Sequence, residues 1–498
     1  MRVDGLGVFP LLVYLIGKGR GWEKEDRGVR WNEGYRERLR KGRVRAMATA
    51  KDATPAMDRP ATDHRADVRR LQIVKTLRSL GQGALFVTFA LYLDELGWQA
   101  SSIGMLLSAG GFLNAALSLP VGMVSDRWGR KRFVIANEAI IVLAAVAATL
   151  SSRPAVLAAA SLLGAFGRGQ VGMVGPAGPA EQAWIAELID PRERGRVYSN
   201  NAALGFLGMA IGSVLAGLLP LWSGVLPGEL AYRPFFVLVV MTGIINIILM
   251  SRTYENKPVA AAPANQRAPR PLKARNVLWP RRALDEREIQ VRREENLRIL
   301  KLGAINSING LGIGLTAPLL SYWFYIKFGA GPEALGPVFA ITYLATGAAS
   351  VISGRVAERI GLVRSVVSVR LLAVLFLLLL PIVPYFWMAS TLHIVRSALN
   401  RGTIGTRQAL TVSLVRDERR GFASAINSIS GSFPNALGPL IAGVMIEAGH
   451  LTLPFLVAAA MQFLYGVLFG RVFSGMEPAG KETAAPKTKP RPASRACS

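Results

Sequence analysis

Two arginines stand where an apolar chain tolerates charge least. Arg168 and Arg401 each lie inside a long apolar run, about 13 residues from its end, or roughly 20 Å along a helix rising 1.5 Å per residue. A guanidinium at that depth in a bilayer costs several kcal/mol even on the mildest insertion scale, so it must meet water in a cavity or a partner. Two roles fit. Its planar fork binds carboxylate or phosphate through parallel hydrogen bonds. Equally, it can tie neighbouring carbonyls together as a structural hub. Around Arg401 the polar pattern continues: His393, Arg396, Asn400, Thr403 and Arg407 fall at i, i+3, i+7, i+10 and i+14 and share one helical face. Such a stripe in an apolar helix is read as facing an aqueous cavity. Arg401 is offset from it by roughly 140° at 3.6 residues per turn.

A second kind of charged cluster closes the apolar runs. Gly122-Met-Val-Ser-Asp126-Arg127-Trp-Gly129-Arg130-Lys131-Arg132 lies between two runs long enough to span a bilayer. Gly122 lets helix backbones approach closely, Gly129 permits the tight reversal, and the cations hold the turn on the cytoplasmic side. Gly354-Arg-Val-Ala-Glu358-Arg359-Ile-Gly361 repeats the spacing: 354 − 122, 358 − 126 and 361 − 129 all equal 232. Gly97, Gly104, Ser118 and Val124 match Gly329, Gly336, Ser350 and Val356 in the same register. Arg168-Gly-Gln-Val-Gly172 is answered by Arg401-Gly-Thr-Ile-Gly405, at 401 − 168 = 233, and Glu193-Arg194-Gly195 by Arg419-Arg420-Gly421. The chain reads as an internal duplication.

These residues need an apolar scaffold, and the composition supplies one. At 498 residues, 51% hydrophobic, 18% charged and mean hydropathy +0.32, the chain is too apolar for a soluble domain. The net charge of +27 invites a nucleic-acid reading. Its placement argues against one, because Lys and Arg gather in alternate loops while the intervening loops hold only Arg153, Arg233 and Lys327. That alternation is the positive-inside pattern and puts both termini in the cytoplasm. The lone cysteine, Cys497, excludes an internal disulfide or a cysteine metal cluster, and His64, His393 and His450 have no ligand spacing. No metal site, catalytic cluster or cofactor is expected, since no phosphate-binding Gly-x-x-x-x-Gly-Lys loop occurs. Gly167-x-Gly169-x-x-Gly172 matches a dinucleotide fingerprint only by letter; without a preceding strand it is read as helix packing.

In order, residues 1–68 form an extension. Its apolar run Val8–Ile16 is too short to span, and Met47 reads as an ordinary protein start, so residues 1–46 are expected to be dispensable for insertion and transport. Spans 1 to 6 cover about 71–96, 101–124, 133–150, the run after Pro154 that carries Arg168, 197–219 and 234–250. Within span 1 only Leu80–Leu93 is apolar. Residues 69–251 make a first six-helix bundle, and 252–296 a basic, Pro/Ala-rich cytoplasmic linker. Spans 7 to 12 cover about 297–325, 334–351, the aliphatic run around 371–380, 388–412, 422–446 and 453–473. They form a second bundle over 297–473, and the basic tail 474–498 reads as disordered.

The loop spacing and its second copy resemble the signature loops of the major facilitator superfamily, a resemblance covering about residues 69–474. It implies an all-α membrane protein of twelve transmembrane helices, in two six-helix bundles related by a pseudo-two-fold axis. Spans 1, 4, 7 and 10 would line a central cavity, as in parallel-repeat secondary transporters. Gly122, Asp126, Arg127, Gly129, Arg130 and Lys131, with Gly354, Glu358, Arg359 and Gly361, would form a cytoplasmic gate in which Asp126 holds arginines in one state and releases them in the other. Arg168 matches the span 4 arginine of proton-coupled members, while the accompanying glutamine is shifted, Gln170 standing where the pattern wants position 171. Arg168, Gln170, His393, Arg396, Asn400 and Arg401 are thus the candidates for solute binding or proton coupling. The family's antiporter signature, Gly-Pro-x-x-Gly-Gly in span 5, is only partly present: span 5 has Gly208 and Gly212, and the better copy, Gly438-Pro439, lies in span 11. With Gly172 and Gly405, these small residues are assigned to packing and gating.

Among acids, Asp94 and Glu95 read as interfacial charges, and Glu138 lies near the cytoplasmic end of peripheral span 3. None is expected mid-membrane on spans 1, 4, 7 or 10, which leaves an arginine-dominated cavity. The chain is therefore read as a secondary transporter, not an enzyme, in the plasma membrane (the cell inner membrane). It would be a monomer that exports a small organic solute as a proton-coupled antiporter. Its partners would be that solute, protons and the lipid bilayer, with no nucleic acid. An uptake carrier for an anionic metabolite and a transport-inactive membrane sensor are the alternatives.

Overall fold

A computed structural model describes residues 61–169, 171–172, 175–190, 193–255, 286–360, 362–402 and 420–473. Apart from short 3-10 turns at Gly175–Ala177 and Gly228–Tyr232, its regular structure is α-helical. The first half holds α1 (Ala61–Glu95), α2 (Ala100–Trp128), α3 (Arg130–Leu150), α4 (Pro154–Gly164), α5 (Gly178–Glu187), α6 (Arg194–Gly217) and α7 (Arg233–Ser251). The second holds α8 (Glu286–Gly314), α9 (Leu320–Phe328), α10 (Pro332–Ile360), α11 (Leu362–Leu379), α12 (Phe386–Gly402), α13 (Arg420–Glu447) and α14 (Leu453–Phe473). Since α4 with α5, and α8 with α9, are each one interrupted pass, the helices make the twelve crossings of a two-bundle transporter fold. By length and composition alone, six described helical stretches are apolar enough to cross a membrane, those of α2, α3, α6, α7, α13 and α14.

Spans 1, 4 and 7 depart from simple apolar helices. Span 1, expected over about 71–96, begins earlier, at Ala61. α1 is 35 residues long, and Lys75 and Arg78 belong to it. Span 7 is interrupted at 315–319, ahead of α9. Span 4 is interrupted more deeply. The helix stops at Gly164, Ala165 takes a left-handed conformation (φ 53°, ψ 38°), and helix resumes at Gly178. Gly167 (φ 73°) and Gly169 (φ 59°) lie in the gap, so this glycine run unwinds the helix instead of packing it. Irregular backbone at membrane depth persists only where protein or water satisfies it.

Close backbone contacts hold the passes together. A Cβ on Gly208 would lie 2.4 Å from the Thr76 carbonyl oxygen, and one on Gly212 would lie 1.9 Å from that of Leu80, so α6 rests on α1. Across the halves α2 packs on α13, where Gly104 faces the Pro439 carbonyl, and α6 packs on α10, where Gly217 faces Gly336. Gly438 fits against Gly314 where span 7 breaks.

The two ends of the bundle differ. Away from the Gly122–Arg132 turn, both halves share one apolar core that includes Phe86, Phe339, Tyr343, Trp323 and Phe455. Ser321 Oγ donates to the Phe86 carbonyl (3.2 Å), Tyr322 OH to Asp94 (3.0 Å), and Leu440 N to Ser108 Oγ (2.8 Å), all across the halves. At the turn end the core separates. Leu71, Val74, Val134, Trp184 and Met250 form one cluster within the first half, and Ile299, Leu302, Val363 and Phe469 form another within the second. Along α2, no residue from Ala116 to Val124 is buried.

Candidate functional site

Three buried ions meet in the first half. Arg78 on α1 donates through Nε to Glu138 of α3 (2.9 Å) and through Nη1 to Glu181 of α5 (2.9 Å). Nη1 also reaches the Gly172 carbonyl in the unwound stretch of span 4 (3.0 Å). The second oxygen of Glu138 accepts from Asn246 Nδ2 of α7 (2.7 Å). Lys75, one turn earlier on α1, interacts electrostatically with Glu181. Arg78, Glu138 and Glu181 are 5%, 1% and 6% exposed. Charges this deeply buried persist only when paired and hydrogen-bonded, and the cluster links spans 1, 3, 4 and 6. Glu181, on a cavity-lining span, is a buried acid that the sequence reading did not single out. Counted along one continuous helix it falls toward the cytoplasmic end, whereas the structure seats it against Arg78.

Arg168 sits in the break itself. Its Nη1 is buried and makes no hydrogen bond among the described residues. A Cβ on Gly111 would lie 2.7 Å both from Arg168 Nη2 and from the Ala436 Cβ, placing this guanidinium beside the seam between halves. Arg78, Gln82, Glu138, Arg168, Gly169 and Thr242 contribute to the lining of a cavity of about 30 Å³. That volume holds one or two waters and falls far short of an organic solute. The Gly172 amide that closes the break donates to Gln82 Oε1 (2.7 Å).

The second half carries a counterpart that sequence reasoning missed. Arg370 on α11 is 2% exposed, donates to Asn400 Oδ1 and to Gln462 Oε1 (3.2 Å), and lies over the Tyr465 ring at 5.0 Å. It occupies the repeat position of Glu138, since 370 − 138 = 232. Each contacts a side-chain amide of the last pass in its half, with opposite charge.

The polar stripe on α12 is divided among separate neighbours. Asn400 goes to Arg370, while Arg396 donates to Thr316 Oγ1 in the span 7 break (3.3 Å). His393 lies among Phe324 and Phe339, with ring centroids at 6.1 and 5.5 Å, and beside Ser397. Arg401 lies over the Tyr343 ring at 5.8 Å.

In the turn, Asp126 accepts from Arg130 Nε (2.9 Å) and Nη2 (2.8 Å), and Arg130 continues to Glu187 and to the Ala183 carbonyl (3.2 Å). Lys131 donates through Nζ to the Ser251 and Thr253 carbonyls (both 2.7 Å), and its backbone N–H donates to Glu255 (2.8 Å). These contacts bind α2, α3, α5 and the end of α7 to one another, all within the first half. Gly129, at φ 100°, makes the reversal between α2 and α3. Gln170, Gly361 and Gly405, and the side chains of Arg127, Glu358 and Arg359, lie outside what the structure describes, while Gly354 lies within α10. Glu187 and Asn246, like Lys75, Arg78, Glu181, Arg370 and Gln462, were not singled out in the sequence. The one available signal was charge inside an apolar run, repeated at positions 138 and 370.

Comparison with known proteins follows the same outline. Residues 73–290 and 302–496 match the sequence model of the Major Facilitator Superfamily. An uncharacterized membrane protein of Saccharomyces cerevisiae, YJR124C, is 23% identical over 428 residues, covering 82% of this chain and 95% of that one. Multidrug resistance protein MdtH of Photorhabdus laumondii is 27% identical over 164 residues, 29% of this chain and 39% of the relative. Among solved structures, a D-xylose-proton symporter superposes with a TM-score of 0.62 at 15% identity, covering 81% of this chain and 97% of the symporter.

Proposed function

This chain belongs to the major facilitator superfamily of membrane transporters for small solutes, and we propose that it exports a small organic solute by alternating access, coupled to protons. The observation that carries the coupling is the Arg78–Glu138–Glu181 cluster, which puts two carboxylates on passes that surround the first-half cavity. A proton taken by either carboxylate weakens its hold on Arg78 and frees the guanidinium for another partner. One side chain then communicates between α3 and the unwound part of span 4. With the basic turn in the cytoplasm, the shared core lies at the outer end and the separated cores at the inner end. This supports a cytoplasm-facing state from which an exporter loads. Rocking of the halves about the α2–α13 and α6–α10 seams supplies the alternate state. The export direction is supported by the partial similarity to MdtH, a protein named for multidrug resistance.

Everted and right-side-out vesicles containing the protein, challenged with a panel of solutes under an imposed pH gradient, test the proposal. Accumulation in everted vesicles, collapsing with the gradient and lost in Glu181→Gln, is the expected result. Accumulation only in right-side-out vesicles would replace export by uptake. Uptake of an anionic metabolite is the second reading, favoured by Arg168 and Arg401 at equivalent places in the two halves.

A further inference from the structure

We propose that the cavity between Arg78 and Arg168 is a binding site for a halide-sized inorganic monoanion, chloride being the one most available to a cell. Arg78 Nη2 and Arg168 Nη1 are both buried and both lack a hydrogen-bond partner among the described residues, and both side chains line this one cavity. Guanidinium nitrogens only donate, so an occupant of this cavity must be an acceptor. The lining gives its sign. Glu138 is the one carboxylate among the cavity's lining residues and is already hydrogen-bonded to Arg78, so Arg168 brings a charge with no ion-pair partner among the described residues, and a buried charge of that kind calls for a counterion.

The backbone supplies an independent argument. Ala165, Phe166, Gly167, Arg168 and Gly169 all line the cavity, and φ is positive at the first, third and fifth of them (53°, 73° and 59°) but not at the two between. Alternation of this kind turns successive N–H groups toward one side and makes an anion-binding concavity. The volume of about 30 Å³ then selects by size. It admits a single small ion and has no room for the organic solute of the transport cycle, so the anion is a resident of the fold and not the cargo. The site stands on this geometry whichever direction the solute moves.

The test uses the full-length purified protein in lipid nanodiscs. Thermal unfolding midpoints are measured in sodium chloride, bromide and gluconate at equal ionic strength, alongside chloride-35 NMR line widths. The expected result is a saturable rise in midpoint with chloride and bromide but not gluconate, together with excess line broadening. Arg168→Gln raises the half-saturating chloride about tenfold or more, through loss of one charge-assisted hydrogen bond. Arg153→Gln, which removes an exposed arginine at the opposite end of α4, leaves it unchanged. If Arg168→Gln does not fold, bromide-soaked crystals of the unmodified protein must show an anomalous peak within reach of both guanidinium groups. Equal midpoints in chloride and gluconate with no excess line broadening, or a bromide peak elsewhere only, would overturn the proposal and leave water in the cavity.

Discussion

Removing the Glu138 side chain is the sharpest test of the buried cluster. In Glu138→Ala, Arg78 Nε loses its 2.9 Å partner and Asn246 Nδ2 its 2.7 Å acceptor, while Lys75 and Arg78 are left facing Glu181 alone. Breaking a buried pair from one side costs about 3–5 kcal/mol. Glu138→Gln separates charge from geometry. The new amide oxygen still accepts from Arg78, and the new amide nitrogen meets Asn246, whose Oδ1 has no partner among the described residues. Rotation of the Asn246 amide then restores the hydrogen bond, so only the charge is lost, at about 1.5–3 kcal/mol. Stability should therefore fall in the order wild type, Gln, Ala. Arg78→Gln combined with Glu138→Gln should recover part of the loss, because Lys75 and Glu181 then balance. The interaction energy in that double-mutant cycle should be about 0.5–3 kcal/mol. Heat-dependent loss of the monodisperse peak in detergent measures all five proteins, the Arg78→Gln single variant that the cycle requires included. A Glu138→Ala midpoint equal to that of wild type would refute the claim that this cluster carries paired charge.

Gly212→Ala should lower the unfolding midpoint sharply, because its Cβ would lie 1.9 Å from the Leu80 carbonyl, whereas Gly195→Ala, with nothing within 4 Å, should leave it unchanged. If the turn is the gate, Asp126→Asn should slow transport more than it reduces folded protein, since it releases Arg130 from its Asp126 partner and switches of this kind typically couple by about 1–3 kcal/mol. Initial rates normalised to membrane content decide that case, and a normal rate would count against the gate. For an anionic solute, Arg401→Lys should weaken affinity and Arg401→Ala weaken it further, because fork and then charge are lost. Titrations on folded, purified protein check this; a fall in yield with normal affinity would instead mark Arg401 as a structural hub.

The fold was legible because its signals are collective. Apolar runs, basic turns and a constant offset of 232 each sum over many residues, and no single polar side chain can mask them. The site was less legible for the same reason. Lys75 and Arg78 fell inside span 1 but outside its apolar part, and averaged hydropathy gives such charges no partner, so they were not singled out. Their burial depends on Glu138 and Glu181, which are 60 and 103 positions away from Arg78. The breaks in spans 4 and 7 were hidden because glycine in a membrane helix signals close packing as readily as unwinding. Of the stripe, His393, Arg396 and Asn400 lie on α12 while Thr403 and Arg407 fall outside the described residues, and periodicity specifies a face and not what covers it. Arg370, which takes Asn400 from that stripe, lies in the most aliphatic pass, where a lone charge is easily averaged away.

The buried charges also carry a consequence for biosynthesis. Lys75, Arg78, Glu138, Glu181 and Asn246 all precede residue 252, whereas Arg370, Asn400 and Gln462 all follow residue 297. The two carboxylates that hold Arg78 both belong to the first half. As chains emerge and fold from the amino-terminal side, the first six passes hold every partner for this cluster before the seventh is synthesised. An ion of one half need not wait in lipid for a mate still on the ribosome. What the halves exchange later is mainly apolar surface and close backbone contact, which can be made and remade without stranding a charge.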